Sequence, residues 1–136
     1  MHIFLVSDSK TGINFFPELE AFLRSKIADA EVDAIFVPFP EDIPAAVHAV
    51  KGEASLVFVF VLYEEPDFKI QALLNKLIEI ELMGGRTIIV KAVEEKEFES
   101  LDPYRLEQEK QVLAEKWGEL IINRLFNPGY FAPKEN

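Results

Sequence analysis

Apolar residues follow one another almost without interruption at positions 56–63, which read LVFVFVLY. This run is too short to cross a bilayer, where about 20 apolar residues are needed. Strands with one solvated face alternate apolar and polar residues, whereas a continuous Val/Phe run is typical of a strand covered on both faces by helices. The pattern therefore predicts that residues 54–63 form a central strand of a parallel sheet.

Three further apolar segments predict strands, and helical periodicity lies between them. The other strands are expected at residues 3–7, 31–37 and 86–91, and the helices are expected to begin near Asn14, Asp42, Asp67 and Asp102. Pro38 and Pro40 close the second strand, so it is expected to lie near an edge and to be shorter than its neighbours. Alternation of strands and helices with short connections predicts a three-layer α/β sandwich with a four-stranded parallel sheet in the order 2-1-3-4.

This strand order places a topological switch point between the first and third strands. In open α/β sheets, ligands bind beyond the carboxyl ends of the strands at such a point. The polar loop at residues 7–12 and the segment at residues 62–67 are therefore predicted to face each other across a crevice, with the turn at residues 38–42 beside them.

Composition narrows the classes of function. The 136 residues are predicted to form a single domain, residues 1–136, and the chain has no cysteine and a formal charge of −10. Disulfides and Cys-ligated metals are thereby excluded, and the negative field disfavours nucleic acid and anionic membranes as partners. The start of the chain lacks a basic leader, so we expect a cytoplasmic protein. Neither histidine belongs to a metal-binding pattern, and no metal site is predicted.

The acidic residues Glu64, Glu65 and Asp67 follow the central strand. Neighbouring carboxylates at a strand end are candidates for proton transfer, since one of them can have a raised pKa. The alternative is a solvated turn in which Asp67 caps the next helix.

The first loop contains Ser9, Lys10, Thr11 and Gly12. It is similar to the hydroxyl-rich phosphate loop of flavodoxin-like flavin proteins, in which backbone N–H groups at a helix start bind a phosphate. Short Ser/Thr/Gly loops also follow many strands as ordinary turns, so both interpretations remain open.

Two further segments carry a family resemblance. Residues 37–46, VPFPEDIPAA, resemble the V-P-G-x-x-[ED]-[IL]-P-x-A segment of lumazine synthases. Residues 125–131, LFNPGYF, are similar to the L-F-x-P-x-Y-L ending of archaeal riboflavin synthases. The chain therefore resembles the lumazine synthase and archaeal riboflavin synthase family over most of its length.

The resemblance implies a role in riboflavin biosynthesis. Lumazine synthases condense a ribitylamino-uracil with a four-carbon phosphate, and archaeal riboflavin synthases transfer a four-carbon unit between two dimethyl-ribityllumazines. Neither reaction needs a redox cofactor. The family implies a ligand pocket between neighbours of a homo-oligomer, with a pentameric ring as its arrangement. Ser7, Asp8, Thr11, Phe39 and Asp42 would then contact a ribityllumazine or flavin-like ligand, while Glu64, Glu65 and Asp67 would transfer protons.

The chain departs from the family where the chemistry is expected. Phe39 stands where the family has a glycine, and the family's proton-transferring histidine after the third strand is missing from residues 62–67. Trp117 and apolar residues replace an Arg-His pair of the last helix. A second hypothesis is therefore a non-catalytic assembly or regulatory protein that kept the fold, and a third is a flavodoxin-like FMN-binding protein.

Overall fold

The computed structural model describes residues 1–10 and 12–127 of the chain. The strands are β1 (His2–Asp8), β2 (Glu31–Val37), β3 (Leu56–Tyr63) and β4 (Ile88–Glu94). The helices are α1 (Phe16–Lys26), α2 (Ile43–Val50), α3 (Phe68–Gly84), α4 (Lys96–Glu99) and α5 (Pro103–Phe126). Two short 3₁₀ turns, Pro40–Asp42 and Gly85–Thr87, precede α2 and β4.

The four strands form one sheet in the order β2-β1-β3-β4, and every neighbouring pair is parallel. The predicted fold class and strand order are confirmed. The central position of β3 follows from its sequence, because six consecutive residues from Leu56 to Val61 are buried and need cover on both faces.

Helices cover both faces of the sheet. Alternate residues of β3, Phe58 and Phe60 among them, pack with α1 and α5, while Val57, Val59 and Val61 pack with α2 and α3. Full burial of each such side chain contributes about 1.5–3 kcal/mol relative to exposure. The unbroken apolar run of β3 therefore supplies the cores of both helical layers.

The helix boundaries agree largely with the local signals in the sequence. Asp67 and Asp102 cap α3 and α5 by accepting hydrogen bonds from the N–H groups of Ile70 and Arg105, each at 2.8 Å. Gly85 ends α3 with a φ of 62°, a conformation that glycine adopts without a steric penalty. Asp42 occupies the N-cap position of α2, but its side chain makes no capping hydrogen bond.

Two predictions about strands need correction. β2 is seven residues long, the same as β1, and lies at an edge as expected without being shorter. β4 begins at Ile88 and continues to Glu94, because Arg86 and Thr87 belong to the 3₁₀ turn after α3. Residues 128–131 of the motif that resembles the synthase ending lie outside the described residues, as does Thr11.

β1 separates from β3 at the carboxyl end of the sheet. Pairing of β1 with β3 ends at Val6 and Val59, whereas pairing of β1 with β2 continues to Asp8 and Val37. β3 likewise stays paired with β4 as far as Tyr63 and Glu94. The sheet therefore splits into two strand pairs at the predicted switch point.

Candidate functional site

A cleft of about 350 Å³ lies at the carboxyl end of β1, over the start of α1. Its volume is near the lower end of the range for small-molecule sites, roughly 300–1,000 Å³. The described residues that line it come from β1, β2, β3, the first turn of α1 and the loop between β1 and α1: Ser7, Asp8, Ser9, Ile13, Asn14, Phe16, Phe36 and Phe60.

Three phenylalanines give the cleft an aromatic wall. Phe16 and Phe60 are almost completely buried, whereas Phe36 is 44% exposed. The rings of Phe16 and Phe36 lie 5.5 Å apart between centroids and are inclined by 36°. Phe36 therefore offers a ring surface to a ligand, and Phe16 supports it from the core side.

Two buried polar residues, Ser7 and Asp8, end β1 beside the aromatic wall, and each is 2% exposed. The Ser7 hydroxyl donates a hydrogen bond of 2.8 Å to the carbonyl oxygen of Phe60, just beyond the last backbone pair between β1 and β3. Oδ2 of Asp8 accepts a hydrogen bond of 3.1 Å from the backbone N–H of Lys10. Ser7 and Asp8, which were predicted to bind a ligand, thus lie at the cleft and also form hydrogen bonds within the protein.

The loop between β1 and α1 uses several of its N–H groups internally. Ser9 N–H donates to the Val37 carbonyl oxygen at 2.8 Å, and Phe16 N–H donates to Oδ1 of Asn14 at 3.1 Å. The N–H groups of Ser9, Lys10 and Phe16 are therefore engaged within the protein. The role predicted for Thr11 lies outside the described residues.

The acidic segment does not face this cleft as predicted. Glu64, Glu65 and Asp67 are exposed, and none of them is among the described residues that line it. Asp67 caps α3 and lines a second depression, of about 520 Å³, together with Pro40 and Phe68. Asp67 lies towards the α2 side of the sheet, whereas Leu62 of the same segment lines a further depression, of about 120 Å³, together with Gly12 of the first loop. The structure therefore brings the two predicted segments together at Leu62 and Gly12, but none of the three carboxylates is among the described residues that line this depression.

The two remaining predicted ligand-binding residues lie beside the cleft. Phe39 is 46% exposed, and the Lys10 ammonium lies 4.2 Å from the centroid of its ring. Asp42 is half-buried in the 3₁₀ turn that precedes α2. Neither is among the described residues that line the cleft, so the structure gives them no direct place in it.

Acidic groups surround the carboxyl edge of the sheet. Glu94 ends β4, Glu95 follows it, and Oε1 of Glu95 lies close to Gly12 of the first loop. A hydrogen bond of 2.8 Å from Lys96 to Glu94 and the negative charge of Glu94 raise the pKa of that lysine. Within residues 1–10 and 12–127, no three His, Asp or Glu side chains are arranged to hold a metal ion.

Sequence reasoning missed the aromatic wall. The sequence predicts no special role for Phe16, Phe36 or Phe60. No feature of the neighbouring residues distinguishes a core phenylalanine from one beside a cleft. Phe36 carried the one usable signal, since it is a large apolar residue near the carboxyl end of an edge strand next to the switch point.

Comparison with known proteins adds no family to this description. No protein-family model matches the chain, and a search of the curated proteins finds no match either. The resemblance to the lumazine and riboflavin synthases stays a prediction from the residues. Among the described helices, none combines the length and apolar character needed to span a bilayer.

Proposed function

We propose that this chain is a divergent member of the lumazine/riboflavin synthase group and binds a ribityllumazine-type ligand in the cleft beside β1. The observation that carries the proposal is the pairing of an exposed aromatic ring, Phe36, with the polar side chains of Asp8, Ser9 and Asn14 in one cleft at the switch point. A planar heterocycle with a hydroxylated chain has matching chemistry, because its ring stacks and its hydroxyls form hydrogen bonds.

The residues that line the cleft suit the substrate of riboflavin synthase better than the substrates of lumazine synthase. The latter brings a four-carbon phosphate, and no lysine or arginine is among the described residues that line the cleft. Asp8 lines it, and a carboxylate repels a phosphate. Dimethyl-ribityllumazine carries hydroxyls and a ring but no phosphate, so it avoids this repulsion.

A homo-oligomer belongs to the same proposal. The cleft is small, and Ser9, Asn14 and Phe36 on its border are exposed, so a neighbouring subunit would enclose a ligand more completely. α3 also presents Phe68, Leu82 and Met83 to solvent at 89%, 77% and 81% exposure. Leu82 and Met83 are adjacent at one end of α3 and Phe68 lies at the other, and exposed large apolar side chains that lie together are typical of interaction surfaces.

Titration of dimethyl-ribityllumazine and riboflavin, followed by their own fluorescence, tests the binding. We expect both to bind, and Phe36→Ala to weaken binding about tenfold, since aromatic stacking contributes roughly 1–3 kcal/mol per base in nucleic-acid complexes. Phe126→Ala is the matched control, because Phe126 is 54% exposed and ends α5 away from the cleft. Absence of any fluorescence change at high protein concentration would contradict the proposal.

A non-catalytic assembly or regulatory protein is the second candidate. The position of the acidic segment favours it, since Glu64 and Glu65 are exposed and Asp67 is engaged as a helix cap. Incubation with dimethyl-ribityllumazine separates the two candidates. Formation of riboflavin would support the synthase. A defined oligomer that neither binds nor converts the compound would support the assembly protein.

A further inference from the structure

We propose that two copies of this chain associate through the outer face of α3, with the two helices antiparallel and a two-fold axis passing at Asn75. The inference rests on the homo-oligomer of the proposed function, but not on the ligand, because α3 and the cleft lie on opposite faces of the sheet. The observations behind it are the spacing, the exposure and the lack of charge of the residues along this face.

Five residues form a single stripe along α3. Their spacing alternates between three and four residues, which keeps side chains on one face of a helix. Leu73 and Leu77, which α3 buries in the core, lie on the opposite side at 3.6 residues per turn. The stripe, named here the α3 seam, consists of five exposed residues: Phe68, Gln71, Asn75, Ile78 and Leu82.

The α3 seam is symmetric about Asn75. Phe68 precedes Asn75 by seven residues and Leu82 follows it by seven, so each lies about 10 Å from Asn75 along the helix axis. In an antiparallel pair centred on Asn75, Phe68 of one copy therefore lies opposite Leu82 of the other. Gln71 lies opposite Ile78 in the same way. Each contact occurs twice, which is the property of an isologous interface.

Asn75 lies beside its own symmetry mate on the axis. Its side-chain amide has both a donor and an acceptor, so the two copies can exchange a reciprocal pair of hydrogen bonds. A polar Asn at one position of a helical seam specifies the register of the helices, because a shifted register places the amide against apolar side chains. Asn75 therefore determines which residues of the two seams face each other.

Phe68 supplies the largest contact area of this interface. It is 89% exposed, and in the antiparallel pair it packs against Leu82 of the other copy and the adjacent Met83, which are also highly exposed. A specific interface buries roughly 600–1,000 Å² on each partner. One aromatic side chain contributes about 150–250 Å² of this area. Phe68, the other seam residues and Met83 together approach the lower end of what a stable dimer needs.

The charge of the chain also favours contact at this face. With a formal charge of −10, two copies repel each other at long range. No residue of the α3 seam is charged, although 28% of the residues in the chain are. Beside the seam, Lys76 and Glu79 carry opposite signs and lie 3.7 Å apart within the helix. Depletion of charge is typical of the centre of an interface, and here it allows a second copy to approach without like charges meeting at the seam.

Disulfide crosslinking tests the position of the axis, because the chain has no cysteine of its own. A disulfide requires Cα atoms about 4.4–6.8 Å apart. Asn75→Cys lies beside its symmetry mate in the proposed pair, whereas Gln71→Cys lies about 12 Å from its mate along the helix axis. On mild oxidation we expect Asn75→Cys to form at least about tenfold more covalent dimer than Gln71→Cys, since only the former meets the distance requirement.

A mixture of two variants tests the orientation of the helices. Gln71 of one copy lies opposite Ile78 of the other, so mixed Gln71→Cys and Ile78→Cys proteins should form a covalent dimer that neither forms alone. In a parallel pair each position would lie beside its own mate, and in a head-to-tail ring none would. Ser25→Cys is the control for random collision, since Ser25 is exposed on α1, on the other side of the sheet. All four positions are exposed, so these variants should fold like the unmodified chain.

The outcomes separate this inference from the proposed function. Asn75→Cys that crosslinks no more than Ser25→Cys, or Gln71→Cys that crosslinks as well as Asn75→Cys, overturns the antiparallel pair; an oligomer in sedimentation would then still support the homo-oligomer. A monomer at every concentration overturns both. Crosslinking of Asn75→Cys in a protein that binds neither riboflavin nor dimethyl-ribityllumazine establishes the α3 pair and overturns the proposed ligand.

Discussion

At the residue scale, the Ser7 side chain both lines the candidate site and forms a hydrogen bond within the sheet. Its hydroxyl was predicted to orient ligand hydroxyls, and in the structure it donates to the Phe60 carbonyl oxygen across the gap between β1 and β3. Because both groups are buried, removing the donor leaves a carbonyl oxygen without this hydrogen bond in a place that water reaches poorly.

Ser7→Ala should therefore lower the free energy of unfolding by about 1–3 kcal/mol, the cost of an unsatisfied buried polar group. Urea denaturation measures this change. Ser25→Ala is the control, since the Ser25 hydroxyl donates to the Phe22 carbonyl oxygen on the exposed side of α1 and its loss should change stability by less than about 0.5 kcal/mol. Equal losses of unfolding free energy in the two variants would contradict the prediction that the buried Ser7 hydrogen bond contributes more to stability than the exposed one.

Helix caps show what could and could not be predicted residue by residue. Asp67 and Asp102 have extended backbones, with ψ of 178° and 167°, from which a side chain reaches the N–H three residues later. Asp42 has helical angles, φ −85° and ψ −10°, because it is itself the last residue of the 3₁₀ turn. The residue type was visible in the sequence, but the backbone angles that decide capping were not.

At the scale of elements, the start of α3 determines where the acidic segment lies. Asp67 holds the first turn through the Ile70 N–H, and Phe68 follows it into solvent at 89% exposure. The interpretation of Asp67 as a cap is confirmed, whereas its predicted part in proton transfer stays a prediction.

Two substitutions of Asp67 distinguish the cap from proton transfer. Asp67→Ala should lower the free energy of unfolding by about 0.5–2 kcal/mol through loss of the cap, whereas Asn caps nearly as well as Asp and should preserve stability. Thermal or urea unfolding gives both values. If Asp67 also transfers protons, Asp67→Asn abolishes conversion of dimethyl-ribityllumazine in a fully stable protein; unchanged conversion would contradict that role.

The elements were predictable because their signals are local. Residues 56–63 have the length and the Val/Phe content typical of a covered strand, and Asp102-Pro103 and Gly84-Gly85 mark a helix start and a helix end within a few residues. The direction of the loop after β3 was not predictable, since it depends on how α3 packs against α2 and β4. For that reason the strand order and the meeting of Leu62 with Gly12 were predictable, whereas the positions of Glu64, Glu65 and Asp67 were not.

At the scale of the whole molecule, the exposed apolar side chains of α3 predict self-association. Leu82 and Met83 are 77% and 81% exposed near the end of this helix, and Phe68 is exposed at its start. A surface of this kind loses unfavourable contact with water when a second subunit covers it.

Sedimentation should therefore show an oligomer for the unmodified chain and a smaller species for Leu82→Glu, because a charge in an apolar interface is costly to bury. Val112→Glu places the same charge on an exposed apolar position of α5, on the other side of the sheet, and should leave the oligomer intact. A monomer at every concentration of the unmodified protein would contradict the assignment of α3 as an interface.

The split between β1 and β3 also bears on how this fold can diverge. In the described strands, backbone pairing between β1 and β3 ends at Val6 and Val59, and beyond it the Ser7 hydroxyl forms a hydrogen bond to Phe60 across the gap. The spacing there depends on side chains, so mutation can widen or narrow the cleft while the strand register remains fixed. The shape of the cleft can therefore change in evolution independently of the sheet that supports it.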